Sequence, residues 1–302
     1  MDDGRVVVQG LTKRFGAVSA VEDLSFDVGP GTVCGFLGPN GSGKTTTLRM
    51  LLGLVRPTVG EARIGGARFA DLPFPARVVG AVLETQGFHP ARTARAHLLA
   101  CAAAVRVPDV AVEHVLGATG LDTAADRPVR GFSQGMRQRL ALATALLGDP
   151  RVLVLDEPAN GLDPEGIAWL RAFVRAFADD GRTVLVSSHV LAEVEQTADD
   201  VVVVSRGRCV HRGPLADLRG TPRVLVACPD PGRLAGAIER TGAGRVEALP
   251  DGRLAVTGAG AARVGDLALA AGVPVHGLVT ERPDLERAFL QLTGAASGGA
   301  GR

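Results

Sequence analysis

The chain has 302 residues, a formal net charge of +1 and 22% charged residues. This length allows about two domains, and the nearly neutral balance argues against a basic surface large enough to bind free nucleic acid. The four cysteines have no C-x-x-C spacing, which argues against a zinc knuckle or a disulfide framework.

The first residues, MDDGRVVVQG, contain no basic segment followed by an apolar one, so they do not resemble a secretory leader. No uninterrupted apolar run approaches the roughly 18 residues that a membrane-spanning helix needs. We therefore expect a cytoplasmic chain that does not itself cross a membrane.

Up to about residue 220, short runs rich in Val and Leu alternate with longer helical patterns, which predicts an α/β domain with crossover helices. The apolar runs are almost continuous, as expected of strands covered on both faces. We predict strands at 32–37, 152–155, 183–187 and 201–204, and a helix at 45–54 directly after the first of these.

After the segment Arg-Gly-Thr-Pro at 219–222 the pattern changes and predicts a small α+β domain with a ferredoxin-like β-α-β-β-α-β order. We therefore divide the chain into 1–220, 221–294 and a tail, 295–302, that we expect to be disordered. The second domain has no ligand motif, and we interpret its role as either regulation or support of a dimer. Its predicted elements are strands at 223–228, 245–249, 253–256 and 273–280, helices at 232–241 and 261–271, and a last helix at 284–292.

The stretch GPNGSGKTTT has the spacing Gly-x-x-x-x-Gly-Lys-Thr between a predicted strand and a predicted helix. Its lysine is one of only two in the chain, and a compact ammonium suits a tight phosphate loop better than a guanidinium does. Backbone N–H groups at a helix N-terminus bind phosphate oxygens. The sequence therefore predicts an ATP-binding loop formed by Gly38, Asn40, Gly41, Ser42, Gly43, Lys44, Thr45 and Thr46.

Two carboxylates and a histidine follow predicted strands and supply the other parts that phosphoryl transfer needs. Lys44 is expected to bridge the β- and γ-phosphates, while Thr45 and Asp156 hold Mg²⁺. Glu157 would orient and deprotonate the attacking water, and His189 would donate to the γ-phosphate. Taken alone, the acidic pair could instead face solvent at a strand end, and the histidine could be a structural cap.

The segment GFSQGMRQRLALATALLGDP, residues 131–150, precedes VLVLDEP and resembles the signature segment of ATP-binding cassette (ABC) transporter subunits. The resemblance covers about residues 5–220 and implies a P-loop NTPase nucleotide-binding domain with a helical subdomain. Ser133 can cap a helix that runs to about Leu147 and so present N–H groups to an anion. The resemblance implies that this anion is the γ-phosphate held by the opposite subunit.

The same resemblance implies a head-to-tail dimer in which two ATP molecules lie between two copies. It places Ser133, Gly135 and Asp163, the last in an Asn-Gly-Leu-Asp segment, at that interface. Phe15 falls where the family stacks an aromatic ring on adenine. A lone phenylalanine is more often a core residue, and Ser133 would be a helix cap in either case.

Two departures from the common family pattern are visible. The signature reads FSQGM instead of LSGGQ, and Glu84 stands where the family usually has a glutamine, with Gln86 two residues later. Both traits resemble the branch that exports peptide antibiotics and other drugs, including bacitracin-type and lantibiotic-immunity exporters. Glu84 is a candidate Mg²⁺ ligand, and the choice between Glu84 and Gln86 for this position stays open.

We therefore expect the ATP-hydrolysing motor of an exporter for a drug, a peptide antibiotic or a lipid-like compound, with ATP and Mg²⁺ as cofactors. The expected partners are a second, identical subunit and a separate multi-span permease that holds the chain on the inner face of the membrane, with no nucleic acid. An importer motor would use the same catalytic parts. A non-transport ABC ATPase is disfavoured because we find neither a second cassette nor a coiled-coil insertion, and a non-catalytic ATP-dependent switch would not hydrolyse ATP steadily.

Overall fold

The computed structural model describes residues 4–83, 87–218, 222–281 and 285–295. The chain forms two compact units. The first contains the described residues up to Leu215 together with the end of the last helix from Leu292, and the second contains the described residues between Ala216 and Gln291.

The first unit is built on a six-stranded sheet with the order β5-β6-β7-β3-β8-β9. Neighbouring strands are parallel except for β9, which is antiparallel to β8. All five residues of β3 and of β6 are buried, as a parallel sheet covered on both faces requires. The strands are β3 (Val33–Leu37), β5 (Val79–Val82), β6 (Val152–Asp156), β7 (Thr183–Ser188), β8 (Asp200–Ser205) and β9 (Arg208–Pro214).

A smaller antiparallel sheet, with the order β2-β1-β4, packs against this core in the same unit. The rings of Phe26 and Phe36, one from each sheet, lie 5.4 Å apart. This sheet was not predicted from the sequence. Its strands are β1 (Val6–Phe15), β2 (Val18–Val28) and β4 (Val59–Ile64).

Helices cover the six-stranded sheet and also form a separate hydrophobic cluster. Leu98, Leu116 and Leu140, from α3, α4 and α5, are fully buried against one another in that cluster. The helices are α1 (Lys44–Leu51), α2 (Pro75–Val78), α3 (Ala94–Val105), α4 (Val110–Ala118), α5 (Gln134–Leu146), α6 (Pro164–Asp179), α7 (Leu191–Glu195) and α8 (Leu215–Leu218).

The second unit has a four-stranded antiparallel sheet with the order β11-β12-β10-β13. Alternate residues of β10, such as Val224 and Val226, pack against Leu234 and Val264 of the two following helices. The elements are β10 (Arg223–Ala227), α9 (Pro231–Arg240), β11 (Arg245–Ala248), β12 (Leu254–Thr257), α10 (Ala261–Ala270), β13 (Gly277–Glu281) and α11 (Leu285–Ala295).

Three predicted boundaries are wrong by three or more residues. The last helix, predicted to end at residue 292, extends to Ala295. The helix predicted to reach residue 54 ends at Leu51, because Gly53 adopts a left-handed conformation (φ +69°) that ends the helix. The strand predicted from residue 273 begins at Gly277, because Val273 instead donates a backbone hydrogen bond to Ala268 and packs against the end of α10.

In the part of the chain that the structure describes, no helix is long and apolar enough to cross a membrane.

Candidate functional site

The predicted phosphate loop connects β3 to α1 and is shaped by its glycines. Gly43, the residue before α1, has φ +106°, a conformation that residues with side chains rarely adopt. A Cβ on Gly38 would lie 2.3 Å from the carbonyl oxygen of Val204. Lys44 is only 5% exposed, and its Nζ donates to the Gly38 carbonyl at 2.6 Å and to the Pro39 carbonyl at 3.4 Å. The ammonium group of Lys44 is therefore held inside the loop by hydrogen bonds to the carbonyls of two loop residues.

This loop borders an open polar cavity of about 340 Å³. The cavity brings most of the predicted loop residues together with Glu157 and His189, which come from two other strand ends. Ala20 and Asn160 also line it, although neither was a predicted site residue. The lining residues are Ala20, Asn40, Gly41, Ser42, Gly43, Lys44, Thr45, Thr46, Glu157, Asn160 and His189.

Glu157 lies between two basic groups at the edge of the cavity. Its side chain is 10% exposed, its Oε1 is 3.2 Å from Lys44 Nζ, and its Oε2 is 2.7 Å from His189 Nδ1. Glu157 directly follows β6 and adopts a left-handed backbone conformation, with φ +51°. The carboxylate is therefore held toward the loop lysine at the carboxyl end of a central strand, where open α/β sheets bind ligands.

Asp156, the last residue of β6, is 1% exposed, and its two carboxylate oxygens differ in their hydrogen bonding. Its Oδ1 accepts a hydrogen bond from the Ser187 hydroxyl at 2.6 Å. Its Oδ2 is buried and has no hydrogen-bond partner among the described residues. Asp156 does not line the cavity at the phosphate loop, but it directly precedes Glu157, which contacts the loop lysine. An orphaned carboxylate oxygen at this strand end fits a hard divalent cation, which would complete its coordination with phosphate oxygens and water.

The described residues contain no group of three or more His, Cys, Asp or Glu side chains that could hold a metal ion by themselves. Such a group is not needed for Mg²⁺, which usually binds through one or two protein oxygens plus the phosphates of its nucleotide. Thr45, the other predicted ligand, is the second residue of α1 and lines the cavity. Glu84 and Gln86 lie outside the described residues, so the choice between them stays open.

The residues that the resemblance assigns to the opposite site do not line this cavity. Ser133 caps α5, and its exposed hydroxyl accepts from the Met136 N–H at 3.2 Å. Asp163 caps α6 and accepts from the Gly166 N–H at 2.8 Å. At Gly135, an added Cβ would meet only ordinary contacts, the nearest at 3.9 Å.

Phe15 also lies outside the cavity lining. It ends β1, is 52% exposed, and has the ammonium of Lys13 4.8 Å from its ring centroid. An exposed ring is not a core residue, which removes the alternative raised for Phe15 from the sequence.

Ser187 bonds to both members of the acidic pair and was not predicted from the sequence. The signal was present, because a serine interrupts the apolar run TVLVSS, but its partner could not be identified without the strand order. A second cavity of about 160 Å³ was also missed; it is lined by Phe88, Gln134, Arg137, Gln138, Asp156, Glu157 and Asn160.

Comparison with known proteins is consistent with this geometry. Residues 21–160 match the family model described as "ABC transporter", and residues 222–286 match one described as "Domain of unknown function (DUF8746)". The chain is 41% identical over 212 residues to the bacitracin transport ATP-binding protein BcrA of Bacillus licheniformis, covering 69% of each protein.

A second relative extends over almost the whole chain. The daunorubicin resistance ATP-binding protein DrrA3 of Streptomyces coeruleorubidus is 35% identical over 315 aligned residues, covering 97% of each protein. A solved structure entitled "Structure of ATP binding subunit of ABC transporter" superposes with a TM-score of 0.65 at 30% identity, covering 71% of this chain and 91% of that one. The chain therefore belongs to the ABC transporter family, as an ATP-binding ATPase subunit.

Proposed function

We propose that this ATPase subunit hydrolyses Mg²⁺–ATP between two copies of itself and thereby drives a separate membrane permease that exports a drug or peptide antibiotic. The observation that carries the proposal is the convergence of Lys44, Glu157 and His189 around the cavity at the phosphate loop, with Asp156 directly before Glu157 at the end of β6. The names of BcrA and DrrA3, which concern bacitracin transport and daunorubicin resistance, support the export of such compounds.

The proposed chemistry assigns one role to each residue. Lys44 neutralises the β- and γ-phosphates, and Mg²⁺, held by Thr45 and Asp156, supplies further charge neutralisation at the phosphates when bound. Glu157 accepts a proton from the attacking water, and His189 donates to the γ-phosphate. In the structure Glu157 pairs with both Lys44 and His189, so nucleotide binding must redirect these basic groups toward phosphate oxygens.

We further propose that Ser133, Gly135 and Asp163 complete the site of the second copy, while Phe15 stacks on adenine. The exposed N-terminus of α5 supports the first assignment, because its N–H groups and helix dipole favour an anion. The exposed ring of Phe15 supports the second. Sedimentation of Glu157→Gln with and without Mg²⁺–ATP tests the pairing: a nucleotide-dependent dimer is expected, and a monomer at all ATP concentrations would contradict it.

We propose a ferredoxin-like fold for the second unit, supported by its β-α-β-β-α-β element order and antiparallel four-stranded sheet. With the first domain at 1–220 and this one at 221–294, we assign the second to regulation or to dimer support.

The membrane partner is tested by an ATP-dependent pull-down from native membranes with tagged Glu157→Gln protein. We expect a multi-span membrane protein without its own cassette to co-purify with ATP, and not with a tagged Lys44→Ala control. Ribosomal or DNA-associated partners without a membrane protein would overturn the transport role and leave the ATPase chemistry intact.

Direction is tested by co-expressing the recovered membrane protein with this chain in a drug-sensitive host. Export predicts less intracellular drug than with the Glu157→Gln subunit. More intracellular drug would identify an importer motor.

A further inference from the structure

Ser187 is a buried hydroxyl next to the proposed catalytic carboxylates. It lies in β7 directly opposite Asp156 of β6 in the parallel register, and its exposed fraction is 0%. The three residues before it are Val184, Leu185 and Val186, so the position belongs to an otherwise apolar strand. A polar group that is buried in such a strand must have hydrogen-bond partners.

The two hydrogen bonds of Ser187 have a fixed direction. The backbone N–H of Glu157 donates to Ser187 Oγ at 2.9 Å, and an N–H can only donate. The single hydroxyl proton is therefore free to point at Asp156 Oδ1, which is 2.6 Å away. One side chain thus bonds to two consecutive residues that have different proposed roles.

The bond to Asp156 decides which carboxylate oxygen is available. Because Oδ1 accepts from Ser187, the carboxylate is fixed in rotation and Oδ2 is the oxygen left without a hydrogen-bond partner among the described residues. A hydrogen bond of this kind orients the carboxylate that would bind the metal, and such bonds contribute to metal affinity.

The bond to Glu157 holds an unfavourable backbone conformation. Glu157 has φ +51°, which costs free energy for any residue with a Cβ and persists only where neighbouring groups hold it. This conformation accompanies a side chain that reaches both Lys44 and His189.

We propose that Ser187 is a positioning residue that sets the metal-binding oxygen of Asp156 and the backbone of Glu157 at the same time. This inference rests on the proposed roles of Asp156 and Glu157. It predicts that Ser187→Ala leaves ATP binding in place but impairs both metal binding and turnover. Removing a hydrogen bond that orients a metal-binding carboxylate typically costs about 10- to 100-fold in metal affinity or activity.

The test compares Mn²⁺ affinity, measured by electron paramagnetic resonance of free Mn²⁺, in ATP-loaded proteins that carry Glu157→Gln to prevent hydrolysis. Thr183→Val is the matched control: Thr183 is equally buried at the other end of β7, and its hydroxyl donates to the Gly4 carbonyl at 2.7 Å. Ser187→Thr restores the hydroxyl and tests for rescue. ATP affinity in EDTA and urea denaturation are measured for every variant.

We expect Ser187→Ala to weaken Mn²⁺ binding about 10- to 100-fold. ATP affinity in EDTA should not change, Thr183→Val should retain Mn²⁺ affinity, and Ser187→Thr should recover it. With Glu157 intact, Ser187→Ala should lower kcat by a similar factor without raising KM for ATP.

Unchanged Mn²⁺ affinity in a folded Ser187→Ala protein, or an equal loss in Thr183→Val, would overturn the inference. Asp156→Asn in the same assay separates this failure from failure of the proposed site. If Asp156→Asn loses metal and Ser187→Ala does not, only the role of Ser187 is wrong; if Asp156→Asn also keeps its affinity, the proposed metal site is wrong.

Discussion

Replacing Lys44 with alanine tests the phosphate loop through two separate measurements. In the structure its ammonium donates to the Gly38 carbonyl at 2.6 Å and lies 3.2 Å from Glu157 Oε1. Lys44 is 5% exposed and the side chain of Glu157 10% exposed, so solvent screens this pair poorly. The substitution removes both interactions and the charge that we expect to face the phosphates.

The effect on ATP binding follows from the charge of the lost donor. A hydrogen bond between charged groups contributes about 1.5–3 kcal/mol, which corresponds to an increase in Kd of about 10- to 150-fold. The free energy of unfolding should fall by a similar amount, about 1–3 kcal/mol, because the Gly38 carbonyl loses a donor while Glu157 keeps its contact with His189.

Titration with a fluorescent ATP analogue gives the Kd, and urea denaturation gives the free energy of unfolding. Arg49→Ala is the matched control, since it removes an exposed positive charge from the last turn of the same helix. We expect that control to bind ATP normally. Unchanged ATP affinity in a folded Lys44→Ala protein would refute the phosphate-loop role, and an equal loss in Arg49→Ala would show that net charge alone controls binding.

Three further predictions concern the phosphate loop, the stacking of the adenine base and a buried cysteine of the core. Gly43→Ala should destabilise the protein by at least about 1–3 kcal/mol in urea denaturation, because φ is +106° and the new Cβ would lie 2.5 Å from the Ala20 carbonyl oxygen; wild-type stability would contradict this. Phe15→Ala should weaken ATP binding by about 1–3 kcal/mol while leaving tripolyphosphate binding unchanged, since only ATP has a base to stack, and equal ATP affinity would exclude the stacking role. Complete burial raises the pKa of the Cys34 thiol far above its ordinary value, so iodoacetamide should leave it unmodified in the native protein and label it in urea; rapid native labelling, read by mass spectrometry, would show that the thiol is accessible.

The parts of the candidate site that come from local sequence were predictable. The spacing of Gly38, Gly43 and Lys44 identifies the loop because each residue meets a requirement within the loop. Gly43 adopts a left-handed conformation, Lys44 supplies a compact charge, and Gly38 leaves space for Ser42 Oγ, which would lie 2.5 Å from an added Cβ. The position of Glu157 and His189 at one sheet edge also follows from sequence, because each comes directly after a buried parallel strand.

Features that depend on which strands are neighbours were not predictable. The role of Ser187 requires β7 to lie beside β6 with Asp156 in register, although the two residues are separated by 31 positions. The β2-β1-β4 sheet was missed because its strands are irregular. Register shifts interrupt the pairing of β1 with β2, and Gly10 has φ +55° within β1, so the strand lacks a regular alternation.

The most direct test of the account is steady-state ATP hydrolysis by Glu157→Gln, alone and in the complex recovered with its membrane partner, alongside its affinity for ATP. Glu239→Gln, an exposed residue of the second unit, is the control for the loss of a carboxylate. We predict wild-type ATP affinity, turnover lowered by at least about 100-fold, and normal turnover in the control. Hydrolysis at the wild-type rate in Glu157→Gln would contradict its assignment as the base and, with it, the proposed mechanism.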